Sequence, residues 1–406
     1  MTNHVYVEQL TPLDLPMPRT YIRVLLVFET AIATPALPWL SGQVFPATSI
    51  QHKASLEIRS NAGHTRTLVD KGSIAASYTA LSSHVMPMEA IPSEIWPVPS
   101  MIDDALSATG APVFAASLFL FSDQGVGLCV CLHHNAVDAT GFTEIVRLWA
   151  RSFSDPGFEF SNPPQGRLER LSKALSTYPE EISSLLSKDL FALHPKYSKV
   201  LPAMPTEFPS CTSKLFKVSI HRINVLNETL VLLCALIWTT ITRVRANRNP
   251  AIASETSRLK TANPYFGNAV LYFLTNCSVE LLVTSDKEAL RSLADICDCS
   301  SESESHFKIN SRHVAEAFRS VDCIEDYSWA DLDLYTMHFG PVLGRPKFVI
   351  FPCMVVDGVA IILPRQRDSS EEEREIMVML RRDDMGSLES DSMWRSLISE
   401  DDNQVS

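Results

Sequence analysis

The stretch GLCVCLHHNAVD, residues 127–138, decides how the rest of the chain is interpreted. Its apolar first half predicts a buried β-strand, and His134 follows where that strand ends. Asp138 comes four residues after His134, and the sequence from Ala139 onward has the spacing of an amphipathic helix. A histidine held at the end of a buried strand is well placed to remove a proton from a hydroxyl or an amine. A strand-end histidine that only bonds a loop carbonyl fits the same spacing.

Shorter apolar runs predict the elements around this segment. Residues 113–121 and 126–132 predict an antiparallel hairpin that ends at the two histidines, and residues 21–28 predict a further strand. Residues 55–59 and 65–69 alternate like two paired strands joined by a turn at 61–63. Further strands are predicted at 215–220, 348–354 and 358–363, and helices at 167–193, 227–245 and 371–380.

The composition fits a protein with large apolar cores and an acidic surface. The chain has 406 residues, 46% of them hydrophobic, and a net charge of −12. This charge argues against a nucleic-acid partner, because phosphate binding favours a basic face. The longest apolar stretch, residues 230–241, is too short to span a bilayer, and the first residues lack the apolar core of a signal peptide. We therefore expect no membrane partner and a cytoplasmic location.

The nine cysteines are scattered through apolar segments, so we expect small core residues in a reducing compartment. Cys297 and Cys299 have no second pair at metal-ligand spacing, and no metal site is predicted. Three prolines within residues 201–210 interrupt regular structure. This region, taken as 197–212, is predicted to be a crossover between an N-terminal lobe, 1–196, and a C-terminal lobe, 213–406.

Three segments together resemble the BAHD family of CoA-dependent acyltransferases. HHNAVD, residues 133–138, is similar to the family's H-H-x-x-x-D segment. PYFGN, residues 264–268, resembles its Y-F-G-N segment, and HFGPVLGRP, residues 338–346, resembles its D-F-G-W-G segment in the form common among fungal members. The start, LTPLD at 10–14, is similar to the fungal trichothecene 3-O-acetyltransferase-like branch.

The resemblance implies a mixed α/β fold of two chloramphenicol-acetyltransferase-like lobes. Each lobe would be a mixed β-sheet flanked by helices, with the active-site tunnel at their interface. It further implies a monomer that moves an acyl group, usually acetyl, from acyl-CoA as co-substrate to a hydroxyl of a small secondary metabolite. No permanently bound cofactor is expected. N-acylation of an amine, a CoA-independent condensation or cyclisation, and a silent binding protein remain alternatives.

The resemblance also assigns roles to residues. His134 would be the general base of a direct transfer without an acyl-enzyme, and His133 a packed neighbour. Asp138 would pair with an arginine of the second lobe, for which Arg258 is the candidate, and so hold the loop; an Asp–His couple is the catalytic alternative. Asn268 would fix a turn, and Gly340 would provide backbone geometry near the lobe interface.

The resemblance does not extend to the CoA-binding residues or to three positions of the family's motifs. The residues that bind CoA are not identified: Arg243, Arg245 and Arg248 either face its phosphates or only complement a helix dipole. The chain also departs from the family's pattern at three positions, which are His338 for an aspartate, Ala139 for a glycine and Thr256 for an arginine.

Overall fold

A computed structural model describes much of the chain. The described residues are 5–28, 43–46, 56–61, 68–158, 166–175, 210–219, 237, 240–241, 253–258, 270–275, 332–352, 357–364 and 373–398, apart from Pro12, Pro16, Pro18, Val85 and Pro156.

The histidine segment belongs to a five-stranded sheet. Its strands in spatial order are β12 (Phe348–Ile350), β2 (Tyr21–Phe28), β8 (Val126–His133), β7 (Phe114–Leu120) and β5 (Val69–Ser73). β5 runs parallel to β7, and the other neighbours are antiparallel. The predicted strand at 21–28 and the predicted hairpin are confirmed.

β8 lies in the middle of this sheet, and every one of its residues is buried. Leu128, Val130 and Leu132 point into one apolar core, and Cys129 and Cys131 point into another on the opposite face. This explains why the segment reads as a continuous apolar run rather than an alternating one. The ring of Phe119 packs directly against Gly127, where a Cβ atom would lie 2.1 Å from a ring carbon and therefore clash.

A smaller sheet corrects one predicted pairing. Its order is β1 (Val5–Gln9), β4 (Leu56–Asn61), β3 (Gln43–Pro46) and β6 (Ala111–Pro112). The strands predicted at 55–59 and 65–69 do not pair with each other. β4 pairs with β1 and β3, whereas β5 joins the histidine sheet beside β7. Alternation identifies a half-buried strand but not its partner.

A third sheet corrects a predicted helix. Its order is β13 (Val359–Ile362), β14 (Glu373–Arg381) and β9 (Cys211–Ser219). Residues 371–380, predicted as helical, lie mostly in β14, where the consecutive residues from Ile376 to Leu380 are buried. Glutamate, methionine and leucine favour helices locally, and pairing on both sides overrides this preference. A two-stranded hairpin consists of β10 (Ala253–Arg258) and β11 (Val270–Thr275).

One long helix follows the histidine strand. α3 (Ala139–Ser154) is the predicted amphipathic helix, with Phe142, Ile145 and Val146 buried on its inner side. Other α-helices whose bounds lie within the described residues are α1 (Tyr78–Ser82), α2 (Asp104–Thr109), α4 (Arg167–Leu175), α5 (Gly340–Leu343), α6 (Arg382–Ser390) and α7 (Ser392–Leu397). Within the described ranges, no helix is long and apolar enough to cross a membrane.

The two halves of the sequence meet in the histidine sheet. β12 comes from the second half, yet it pairs with β2 through Phe348–Val27 and Ile350–Leu25. Phe339 and Leu343 join the same core as β8 and α3. The predicted lobe boundaries at 196 and 213 remain predictions. Strand β9 begins at Cys211, within the residues that were predicted to form the crossover.

Candidate active site

His134 directly follows the last residue of β8, and a backbone hydrogen bond to the residue before the neighbouring strand β2 fixes its position. Its N–H donates to the carbonyl of Thr20, 3.0 Å away, just before β2. The N–H of His133 donates to the carbonyl of Val113 at 2.9 Å, just before β7. The two histidines are thus held between the neighbouring strands, as predicted for the end of a buried strand.

A tight turn leads from the histidines to α3. The N–H groups of Ala136 and Val137 both donate to the carbonyl of His133, at 2.8 and 3.2 Å. The Asp138 carboxylate then accepts the N–H of Gly141 at 2.8 Å and caps the helix. Aspartate is among the preferred residues at this position, because its oxygen satisfies one of the helix's unpaired N–H groups. Asp138 therefore has a structural role as the N-cap of α3.

Burial controls the charge of His134. Its residue surface is 3% exposed, and this burial lowers the pKa of His134 to about 4. Backbone hydrogen bonds at His134 and Val137, together with the Asp138 carboxylate, act in the opposite direction on the pKa. The imidazole is therefore neutral at pH 7, the charge state that a general base requires.

His133 is a packing residue. Burial lowers the pKa of His133 to about 3, with His134 and Arg19 acting in the same direction. Its Nδ1 accepts the N–H of Asn135 at 3.2 Å, and its ring packs edge-on against Tyr21 with 5.6 Å between ring centroids. An Nδ1 that accepts carries no proton, so the neutral ring is protonated at Nε2. This agrees with the packed role predicted for it.

Asn135 connects the histidine turn to residues 14–17, a contact that no local sequence pattern indicates. Its Nδ2 donates to the carbonyls of Asp14 and Met17, at 2.8 and 2.7 Å. The Asp14 carboxylate in turn accepts the N–H of Thr11 at 2.7 Å. All of these residues are buried. The LTPLD segment thus supports the turn that carries His134.

Arg167 makes the second contact that the sequence did not reveal. It is the first residue of α4, and its Nη1 donates to the carbonyl of Ala136 in the turn. The Glu8 carboxylate accepts the backbone N–H of Arg167 at 3.1 Å and its Nε at 3.3 Å. The ion pair of Arg167 and Glu8 therefore contacts the turn from a part of the fold outside the five-stranded sheet.

Gly340 lies at the other end of α3. It has φ +76°, and a Cβ there would lie 2.9 Å from the carbonyl oxygen of Phe153. The hydroxyl of Ser154 donates to the carbonyl of His338 at 2.7 Å and accepts the N–H of Gly340 at 3.1 Å. The segment at 338–346 thus braces the end of the helix that Asp138 begins.

Two of the family departures have structural explanations. The His338 side chain is exposed, so its replacement of an aspartate leaves the core unchanged. Ala139 is the first residue of α3 and lies outside the positive-φ residues, so alanine serves there as well as glycine.

The remaining predicted site residues are only partly described. Arg258 ends β10 opposite Val270 of β11, and its side chain lies outside the described part of the structure. Asn268, Arg243, Arg245 and Arg248 also lie outside the described residues. The predicted pairing of Asp138 with Arg258 therefore stays a prediction.

The described residues offer little for metal or thiol chemistry. They contain no cluster of histidine, cysteine or carboxylate ligands suited to a metal ion. Burial raises the pKa of Cys129 and of Cys131, which places both thiols in their protonated form at pH 7. They are core residues, as predicted.

Residues 18–152, which include the histidine turn and most of α3, match the family described as the trichothecene 3-O-acetyltransferase-like N-terminal domain. Among curated proteins, a trichothecene 8-O-acetyltransferase of Fusarium sporotrichioides is 22% identical over 77% of each chain. The O-acetyltransferase ptmV of Penicillium ochrochloron is 24% identical over 95% of each chain.

Solved structures share the fold across nearly the whole chain. F. graminearum TRI101, complexed with coenzyme A and deoxynivalenol, superposes with a TM-score of 0.75 at 17% identity, covering 97% of this chain and 99% of that one. Vinorine synthase gives a TM-score of 0.62 at 14% identity, covering 97% and 93%. The predicted mixed α/β fold of two chloramphenicol-acetyltransferase-like lobes is confirmed by these matches.

Proposed function

We propose that this protein transfers an acetyl group from acetyl-CoA to a hydroxyl of a small secondary metabolite, because its residues 18–152 match the trichothecene 3-O-acetyltransferase-like N-terminal domain. The enzyme class predicted from sequence, an acyl-CoA-dependent O-acyltransferase, agrees with the O-acetyltransferases among its relatives. The single observation that carries the mechanism is the buried, neutral His134 on a turn that is fixed from several sides.

His134 acts as the general base in this proposal. A hydroxyl is a poor nucleophile at pH 7, and an imidazole that takes its proton during attack assists the reaction by about 10²–10⁴-fold. The acceptor oxygen forms a bond to the thioester carbonyl carbon, the C–S bond then breaks, and the proton on His134 passes to the departing sulfur. The products are an acetyl ester and free CoA, and His134 is again neutral.

The environment of His134 fits transient protonation. Burial keeps the imidazole neutral in the free enzyme, so no proton must leave before substrate arrives. The Asp138 carboxylate and the backbone groups raise the pKa, and they therefore stabilise the imidazolium that exists only during the reaction.

Direct transfer is preferred over an acyl-enzyme. A covalent route needs an activated nucleophile beside a base. The nearest thiols along β8, Cys129 and Cys131, point into an apolar core and are protonated. Both substrates would instead meet at His134, where positioning supplies much of the rate enhancement.

We infer the acceptor class from the relatives alone. One curated relative is a trichothecene 8-O-acetyltransferase, and three TRI101 structures hold deoxynivalenol or T-2 mycotoxin together with coenzyme A. A hydroxylated polycyclic metabolite, such as a sesquiterpenoid, is therefore the first class to test. The proposal includes a monomeric, cytoplasmic enzyme with acyl-CoA as co-substrate and no permanent cofactor.

The test is product formation from acetyl-CoA. Purified protein is incubated with acetyl-CoA and a panel of hydroxylated terpenoids, alkaloids and polyketides, and products are identified by mass spectrometry. We expect an added acetyl group on at least one acceptor. The product should disappear with His134→Ala and persist with His84→Ala, which alters an exposed histidine on the loop after α1. A product formed equally by His134→Ala would overturn the assignment of the base.

A CoA-independent reaction is the second candidate, because the same fold occurs in an epimerization domain of tyrocidine synthetase B. That domain superposes with a TM-score of 0.51 at 10% identity. A ligand that binds only the native state raises its stability by mass action, so coenzyme A should raise the melting temperature of a CoA-dependent enzyme. Absence of any shift with acetyl-CoA or longer acyl-CoAs would favour this second candidate.

A further inference from the structure

We propose that Arg167 and Glu8 are positioning residues, which hold the turn of His134 in the geometry that transfer requires. This inference rests on the function proposed above. The contact that supports it is the hydrogen bond from the Arg167 guanidinium to the carbonyl of Ala136, two residues after His134. The Glu8 carboxylate accepts hydrogen bonds from both the backbone N–H and the side-chain Nε–H of Arg167.

The burial of this pair indicates a specific role. The side chains of Arg167 and Glu8 are 7% and 15% exposed. Burying two charges is costly, and well-packed apolar residues often stabilise a protein equally well. What the arginine adds is a rigid donor at a defined point. Ala136 is fully buried, so its carbonyl is cut off from water and gains from such a donor.

The position of that carbonyl connects the pair to His134. The peptide of Ala136 lies in the turn that closes on the carbonyl of His133 and leads to the helix cap at Asp138. A rotation of this peptide would therefore shift the segment between His134 and Asp138. Glu8 lies on β1 and Arg167 on α4, both outside the histidine sheet, so the pair fixes the turn from a separate part of the fold.

The pair acts through position rather than through charge. The pKa of His134 is set by burial, backbone hydrogen bonds and Asp138, and Arg167 is not among its causes. Loss of the arginine should therefore lower kcat and leave the pH dependence of kcat/KM unchanged. Displacement of a catalytic group by about 1 Å is enough to reduce the rate by about 10²-fold.

The first experiment compares kcat, KM and the pH profile in variants of the pair. Arg167→Met should lower kcat by about 10²-fold with the KM for acetyl-CoA unchanged. Arg167→Lys, which keeps the charge and a single donor, should recover part of the rate. Glu8→Gln should lower kcat less, and the double variant should be no slower than Arg167→Met because the two residues act as a unit.

The matched control is a second arginine–glutamate pair that does not contact the turn. Arg147 pairs with Glu144 on the outer side of α3, and the Arg147 side chain is 47% exposed. Arg147→Met should leave kcat and KM unchanged. An Arg167→Met variant with wild-type kcat, or one whose pH inflection moves with its rate, would overturn the proposal.

A second readout does not depend on turnover. The imidazole of His134 is followed by NMR in protein with ¹³C-labelled histidine, and its signal is assigned by its loss in His134→Ala. Arg167→Met should shift this signal, and Arg147→Met should leave it in place. An unshifted His134 signal in folded Arg167→Met would sink the positioning role, even if acetyl transfer is found. A shifted signal supports that role even if no acceptor is acetylated. Should Arg167→Met fail to fold, Arg167→Lys and Glu8→Gln provide the same comparison.

Discussion

The Asp138 carboxylate accepts the N–H of Gly141 at 2.8 Å and caps α3, four residues after the histidine that the site depends on. One side chain thus connects the start of the helix to the turn of His134. The same helix ends against Gly340, so it is held at both ends by residues of the family-like segments. The site is built on a rigid strand and a braced helix rather than on a free loop.

The two functions of Asp138 are separable by substitution. Asp138→Asn keeps an oxygen for the cap but removes the charge, whereas Asp138→Ala removes both. We expect Asp138→Ala to lose about 1 kcal/mol more stability than Asp138→Asn, since this is the usual worth of such a cap. Chemical unfolding measures this difference. Both variants should lower kcat, because the carboxylate raises the pKa of His134. Equal stability of the two variants would contradict the capping role.

The pH dependence of activity reports the charge of His134. Because burial lowers its pKa to about 4, protonation should inactivate the free enzyme only as the pH falls through that value. A plot of log kcat/KM against pH should rise to a plateau with an inflection near 4, measured only where the protein is folded. An inflection at 6.5, the ordinary value for histidine, would show that His134 is not shielded from water.

The same pKa shifts predict how stability depends on pH. The unfolded chain binds protons at His133 and His134 near pH 6.5, and the folded protein binds them only near 3 and 4. Between these values the unfolded state holds more protons, so the free energy of unfolding should fall as the pH drops from 6.5 towards 4. Urea unfolding at several pH values measures the slope. His133→Asn should reduce it, and an unchanged slope would argue against a buried, neutral His133.

Two glycines of the 338–346 segment separate backbone strain from steric contact. Gly340 and Gly344 have φ of +76° and +69°, but only at Gly340 would a Cβ meet a neighbour, the Phe153 carbonyl at 2.9 Å. Gly344→Ala should cost about 1–3 kcal/mol, because φ of 69° with ψ of −136° is a backbone conformation that residues with a Cβ rarely adopt. Gly340→Ala should cost more, because the end of α3 must move as well. Chemical unfolding measures the free energy of unfolding of both variants. An equal loss in the two would contradict the steric contact between Gly340 and the end of α3.

Asn135 should matter for both stability and turnover. Asn135→Ala removes the amide donor to the carbonyls of Asp14 and Met17, and each lost buried bond costs about 1–3 kcal/mol. Because the same amide holds the turn, kcat should fall too. Gln43→Ala is the control, since its amide donates to the carbonyl of Gly110 away from the site. Gln43→Ala should lose stability without loss of kcat. A normal kcat for folded Asn135→Ala would contradict this role.

The sequence predicted the elements that carry the site, because their signals are local. β2, β8 and α3 follow from apolar runs and from helical spacing after Asp138. The errors have non-local causes. β14 contains good helix formers and becomes a strand only because β9 and β13 pair with it. The partners of β4 and β5 are likewise set by the whole fold.

The supporting contacts of the turn were beyond prediction for the same reason. Asn135 bonds a carbonyl 121 residues away in sequence, and Arg167 bonds one 31 residues away. No local pattern distinguishes such an asparagine or arginine from an exposed one. His134 and Asp138 were found because the spacing, the preceding strand and the following helix all point to the same place.

The central claim is that His134 removes the proton of the acceptor hydroxyl during acetyl transfer. The most direct test is the rate of ester formation by wild-type protein and His134→Ala at saturating acetyl-CoA and acceptor, with folding checked by circular dichroism. The account predicts that folded His134→Ala is slower by about 10²–10⁴-fold. Ester formation by folded His134→Ala at the wild-type rate would contradict it.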